Sequence, residues 1–134
     1  MMGRRAGAAL LAALTLAGCG SSLVLPDQAD ARVQAETQEL ALVVAADLEA
    51  KERAVGGPVG EWTCSARLLG HDGDAQLGSV NCSSTYPGVE GPSGVAGPVR
   101  VEGAAVTYSQ DGAGYADSVR EMFGNQLADY YLDQ

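Results

Sequence analysis

The chain has 134 residues, 46% of them hydrophobic, and 17 acidic against 8 basic side chains give a net charge of −9. That length accommodates one small domain beside any processed leader. The acidic balance excludes nucleic acid as a partner, since phosphates are neutralised by Lys and Arg, and it opposes docking on anionic lipid headgroups through charge.

The N-terminus opens with the positive pair Arg4-Arg5, followed by an uncharged, Ala- and Leu-rich run over residues 6–17. About a dozen residues fall short of the roughly 20 needed to span a bilayer as a helix. The run therefore reads as the apolar core of an export signal. It ends in Leu16-Ala17-Gly18-Cys19. This stretch resembles the bacterial lipoprotein signal, whose lipobox is an apolar residue, two small residues and a Cys. The resemblance implies a diacylglyceryl thioether on Cys19 and cleavage between Gly18 and Cys19. The residues after Arg5 lack the large apolar side chain of the twin-arginine motif, which favours the general secretory route. One acyl chain binds a bilayer only marginally, whereas two hold stably at about 0.8 kcal/mol per buried methylene. The resemblance thus implies a membrane partner reached through lipid, at the inner or outer membrane, outside the cytoplasm.

Residues 1–18 are then the signal, residues 19–28 a lipidated tether, and residues 29–134 a single domain. Cleavage removes 18 residues and leaves 116, with six basic against 17 acidic side chains and a net charge of −11. From Gly20 to Gln28 the tether reaches roughly 30 Å at about 3.3 Å per residue.

A first helix is predicted over residues 29–55, capped by Asp27 or Asp30. Val33, Leu40, Val44, Leu48 and Val55 mark its apolar stripe, and Gly56-Gly57-Pro58 ends it. Residues 61–86 then alternate as a hairpin about the turn signal His71-Asp72-Gly73-Asp74. With Gly73 at the centre, Cys64 faces Cys82, Ala66 faces Val80 and Trp62 faces Ser84. Trp62, Cys64, Ala66, Leu68, Val80 and Cys82 share one face; Thr63, Ser65, Arg67, Ser79, Asn81 and Ser83 share the other. An even cysteine pair in an exported chain favours a disulfide, and its geometry selects the same register as the hydrophobic alternation. A two-residue Asp72-Gly73 turn would shift the pairing by one, so a wider loop is preferred.

Residues 87–98 read as an extended loop, with Gly88, Gly91, Gly94 and Gly97 every third residue; four triplets cannot sustain a collagen helix. Residues 99–109 are strand-like but change parity at Glu102-Gly103, through a bulge or a tight second hairpin. A last helix is predicted over residues 115–132, with Ala116, Val119, Phe123, Leu127 and Tyr130 as its stripe. Ser118 and Glu121 form a candidate capping box, and Gly124 a candidate kink. The fold class is α+β: an N-terminal helix, an antiparallel sheet of three or four strands with a disulfide-linked hairpin, and a C-terminal helix.

Candidate chemistry is sparse. His71 is the only histidine. With Asp72 and Asp74 it is the candidate acid–base or metal cluster, although turn chemistry explains the same residues. Ser93 lies in Gly-Pro-Ser-Gly, which fails the Gly-x-Ser-x-Gly elbow. Cys64 and Cys82 lack the Cys-x-x-Cys spacing of redox enzymes. No catalytic residue, metal site or cofactor is assigned. The tyrosines Tyr108, Tyr115, Tyr130 and Tyr131 suit a wet-tipped core or a binding surface, and Trp62 is expected as a core anchor beside the disulfide. The leading expectation is a non-catalytic interaction module of the cell envelope, with a cationic envelope protein as partner. The alternatives are a small-ligand carrier with a pocket between sheet and helices, and a small hydrolase using His71.

Overall fold

The computed structural model describes residues 23–89, 91 and 93–134. The signal, Gly18 and Cys19 lie outside the described residues.

Helix α1 spans Ala31–Val55. Of the two candidate caps it uses Asp30, whose Oδ1 accepts from the N–H groups of Arg32 at 2.8 Å and Val33 at 3.3 Å. These donors have no intrahelical acceptor, which is why a short acidic side chain is favoured there. The helix stops at Gly56, in the left-handed region at φ 87°, whose N–H closes on the carbonyls of Glu52 and Arg53. Glycine enters that region without the Cβ penalty of other residues.

A four-stranded antiparallel meander follows, in the order β1-β2-β3-β4. Its strands are β1 Glu61–Asp72, β2 Ala75–Thr85, β3 Ser93–Glu102 and β4 Ala105–Tyr108. Cys64 pairs with Cys82, Ala66 with Val80 and Trp62 with Ser84, as disulfide and alternation together require. The Cys64–Cys82 bridge is formed. The loop at the hairpin tip differs from the expectation. Asp72 pairs with Ala75 across a two-residue turn of Gly73 and Asp74, and the register shifts between Leu68 and Gly70. The bulge at Leu69 absorbs the one-residue offset that made a tight turn look incompatible with the Cys register. It puts Gly70 rather than Leu69 opposite Leu77, and Leu68 and Leu69 are both buried.

The Gly-rich stretch departs further from expectation. Its second half is not a loop: β3 begins at Ser93 and pairs with β2 as far as Ser84. Pairing to a long, well-specified neighbour overrides the weak β-propensity of Gly94, Gly97 and Pro98. Pro98 is tolerated because β4 reaches only to Val99, paired with Tyr108, so β3 has a free edge at Pro98. The parity change at Gly103 is a tight hairpin, with Glu102 paired to Ala105.

The C-terminal helix is broken in two. A 3₁₀ turn at Gly112–Gly114 leads into α2, Tyr115–Phe123, and α3 follows over Asn125–Leu132. Gly124, at φ 79° and ψ 162°, ends one and starts the other. No other residue type adopts that backbone readily, so the chain breaks at the position where only a kink was anticipated. Ser118 is not an N-cap: it lies inside α2, accepts from the Gln110 N–H and donates to the Tyr115 carbonyl.

Two cores lie on opposite faces of the sheet. On one, Leu40 and Val44 of α1 meet Val80, Cys82, Val99 and Val101, with Trp62, Cys64 and Ala66 at the edge. Gly78 lets the helix approach: a Cβ there would lie 2.6 Å from Leu40 Cδ2 and 2.7 Å from the Arg67 carbonyl oxygen. On the other face, Leu69 and Leu77 meet Val119, Met122, Phe123, Leu127 and Ala128. Phe123 and Tyr131 pack edge to face at 5.6 Å. Arg100 ties this layer to the sheet, donating to Asp72 at 2.8 Å and to the Met122 carbonyl at 3.4 Å. Leu23 and Leu25 pack against the same core, and Gln28 Nε2 donates to the Leu68 carbonyl at 2.9 Å. The stretch read as tether is therefore docked on the domain from Leu23 onward.

Candidate functional site

His71 sits at the tip of the β1–β2 hairpin, over the N-terminal half of α1. Its Nε2 lies 2.7 Å from Glu36 Oε2, to which Gln76 Nε2 also donates at 3.1 Å. These two bonds, the His71 one first, hold the Glu36 carboxyl below the usual carboxylate range. Of the candidate His71, Asp72 and Asp74 cluster, Asp72 turns away to Arg100, while His71 and Asp74 line one hollow with Glu36 and Glu39. Among the described residues no group of three or more His, Cys, Asp or Glu is placed to hold a metal ion. Ser93 pairs with Ser84, while the residue opposite His71 is Gln76, so Ser93 and His71 stand at opposite ends of the sheet. The His71–Glu36 contact pins the hairpin tip to the helix.

A second cluster lies at that far end, and the sequence reading missed it. Glu52, in the last turn of α1, accepts from the Gly60 N–H at 2.8 Å, Trp62 Nε1 at 3.0 Å and the Tyr86 hydroxyl. Glu49 adds a bond from the Trp62 N–H at 3.3 Å. The Tyr86 bond is the main reason the Glu52 carboxyl is held below its ordinary range, with the Gly60 N–H next. The same bond raises the Tyr86 phenol. One signal was available: an acidic residue in the last turn of a helix opposes the macrodipole and calls for donors elsewhere. An indole N–H on a half-buried strand likewise calls for an acceptor.

This cluster has a pH consequence. A carboxyl whose folded pKa is depressed adds stability above its unfolded pKa, and that stability is lost as pH falls through the folded value. Glu52→Gln is therefore expected to lower the urea midpoint at neutral pH, with the gap to wild type narrowing as the pH falls below the ordinary carboxylate range and the native carboxyl takes up its proton. A gap that stays constant across that range would remove Glu52 ionisation from the account.

The aromatic ring that Glu52 orients walls a cleft. Trp62, Leu48, Val55, Pro58 and Lys51 enclose about 330 Å³ of largely apolar space, and Val55 is 84% exposed. Leu48 and Lys51 also line a second cleft of about 260 Å³, between α1 and the sheet, with Val95, Val99 and Tyr108. Between the two, Lys51 Nζ contacts Asp47 at 2.6 Å and lies 5.3 Å from the Tyr108 ring centroid. Tyr108 donates to the same Asp47 oxygen at 2.6 Å. Burial first, and then Asp47, raise the Tyr108 phenol. The arrangement sets a largely apolar cleft and one of mixed polarity on either side of one lysine.

No protein-family model, curated protein or solved structure matches the chain. Among the described residues no helix is long and apolar enough to cross a membrane.

Proposed function

We propose that this protein is a bacterial envelope lipoprotein, exported and held by diacylglyceryl on Cys19, whose domain is a non-catalytic interaction module. In this reading the clefts beside Leu48 and Lys51 receive apolar side chains of a cationic envelope protein. The complete lipobox Leu16-Ala17-Gly18-Cys19 supports the address, and a disulfide suits an oxidising compartment outside the cytoplasm. The single observation that carries the binding role is Trp62, held by Glu52 so that its ring forms a cleft wall beside exposed Val55. Rigid aromatic side chains at the centre of an apolar depression are typical anchors of protein interfaces. The acidic excess of the chain, 17 acidic against 8 basic side chains, is of the sign that attracts a basic partner.

In-cell photo-crosslinking tests this reading, with the reactive side chain placed at Val55 or, as a control, at Thr63 on the polar sheet face. One dominant basic envelope protein captured from position 55, and lost in a Cys19→Ala chain, is the expected result. Equal capture from both positions would contradict the proposed cleft. Capture of no protein would favour a small-ligand carrier, for which the 260 Å³ cleft between α1 and the sheet is the place.

A further inference from the structure

Three features converge on the end of the domain nearest Cys19. The first is the docked segment. Leu23 and Leu25 are packed into the core of α2 and α3, and Gln28 is bonded to Leu68 and to the Pro26 carbonyl. From Cys19 to Leu23 the chain has four steps, which span at most about 14 Å when fully extended. The headgroup layer on one side of a bilayer occupies about 5–7 Å, so an anchored Cys19 leaves Leu23 within about 10 Å of the membrane surface. The second feature is shape and charge. Leu23, Val24, Leu69, His71, Phe123 and Asn125 line a hollow of about 380 Å³. Among the described residues none that lines it is Asp or Glu, although the chain carries 17 of them. The third is Val24, an apolar side chain left 85% exposed beside this hollow.

We infer that the domain stands on the membrane in one orientation, with the hollow around Leu23, Val24 and Phe123 seated on the lipid headgroups. This rests on the lipid anchor proposed above. A strongly acidic domain held this close to anionic lipid is repelled wherever it presents carboxylates. The hollow whose described lining lacks them is the part that the short, docked connection turns toward the bilayer. The opposite end then projects outward: Trp62 lies eight residues along β1 from Gly70, about 26 Å at the rise of a strand. The anchor thus presents the Trp62 cleft away from the surface, within reach of a partner in the envelope.

The test uses the lipidated protein, extracted from membranes and reconstituted in vesicles of phosphatidylethanolamine and phosphatidylglycerol. A nitroxide is attached at Val24→Cys, Asn125→Cys or Ser83→Cys, with the native disulfide and the lipid on Cys19 checked by mass. Collisions with a water-soluble nickel chelate and with membrane-partitioned oxygen are then compared. Labels at positions 24 and 125 are expected to lose nickel collisions and gain oxygen collisions on vesicles, while the label at position 83 stays aqueous. Equal aqueous exposure of all three labels on a lipid-bearing chain would overturn the orientation and leave the anchor standing. A mass without lipid would overturn the anchor, and the orientation with it. Replacing Leu23 and Leu25 together by serine is expected to abolish the protection at position 125 while the circular dichroism of the domain persists. Protection that survives this change would show that the docked segment does not set the orientation, and would also overturn the inference.

Discussion

Replacing Cys64 and Cys82 together by alanine is expected to destabilise the domain by about 3 kcal/mol, the chain-entropy value for a loop of this length. The bridged residues are 18 apart, and the loop they close contains most of the β1–β2 hairpin. Cys82 is also 1% exposed within the α1 core, so alanine removes packing as well as the constraint. Small domains are stable by only 5–15 kcal/mol, and a change of this size lowers the melting temperature by on the order of 15 °C. Thermal melts of wild type and variant, followed by circular dichroism, measure it, and reductant is expected to reproduce the shift in the wild type. A shift of only a degree or two would mean that the hairpin is held by its pairing and by α1 alone.

The second large effect concerns the contact that seats α1. Leu40 is fully buried, and Leu40→Ala is expected to cost about 2–5 kcal/mol through lost burial and the cavity left behind. Gly78→Ala is expected to cost about 1–3 kcal/mol by overpacking the same point, because the new methyl meets Leu40 Cδ2 and the Arg67 carbonyl. The two changes are not independent. In the double variant the methyl at position 78 enters the space that Leu40 vacates, so the combined loss should fall short of the sum by about 1 kcal/mol. It should not return to wild type, since the Arg67 carbonyl belongs to the backbone and stays in place. Urea midpoints of the four proteins in the cycle measure this coupling, and strict additivity would contradict the close helix–sheet approach.

Where local pattern and a long-range constraint agreed, the fold was legible in the residues. The Cys64–Cys82 pair and the alternation from Trp62 to Leu68 specify one register, and it is the one observed. Asp30 and Gly56 bound α1 for reasons of capping chemistry that are local to the chain. Where tertiary contacts decide, the sequence was silent. Nothing near Leu69 announces a bulge, which reconciles the Cys64–Cys82 register with the two-residue turn at Gly73 and Asp74. The strand at Ser93–Glu102 forms from Gly- and Pro-rich residues only because β2 offers a partner. The Glu52 cluster joins residues 34 apart, and no short motif contains it. His71, by contrast, drew attention as the only histidine and lies 2.7 Å from a helix carboxylate.

In the proposed function the domain works at a membrane surface, on a lipid anchor at Cys19. The most direct test of this is the intact mass of the protein extracted from the membranes of a bacterial host. The account predicts a chain that begins at Cys19, lacks residues 1–18 and carries a diacylglyceryl group, with Cys64 and Cys82 oxidised. A chain recovered from the soluble fraction with an unmodified Cys19, or cleaved at any other bond, would contradict it.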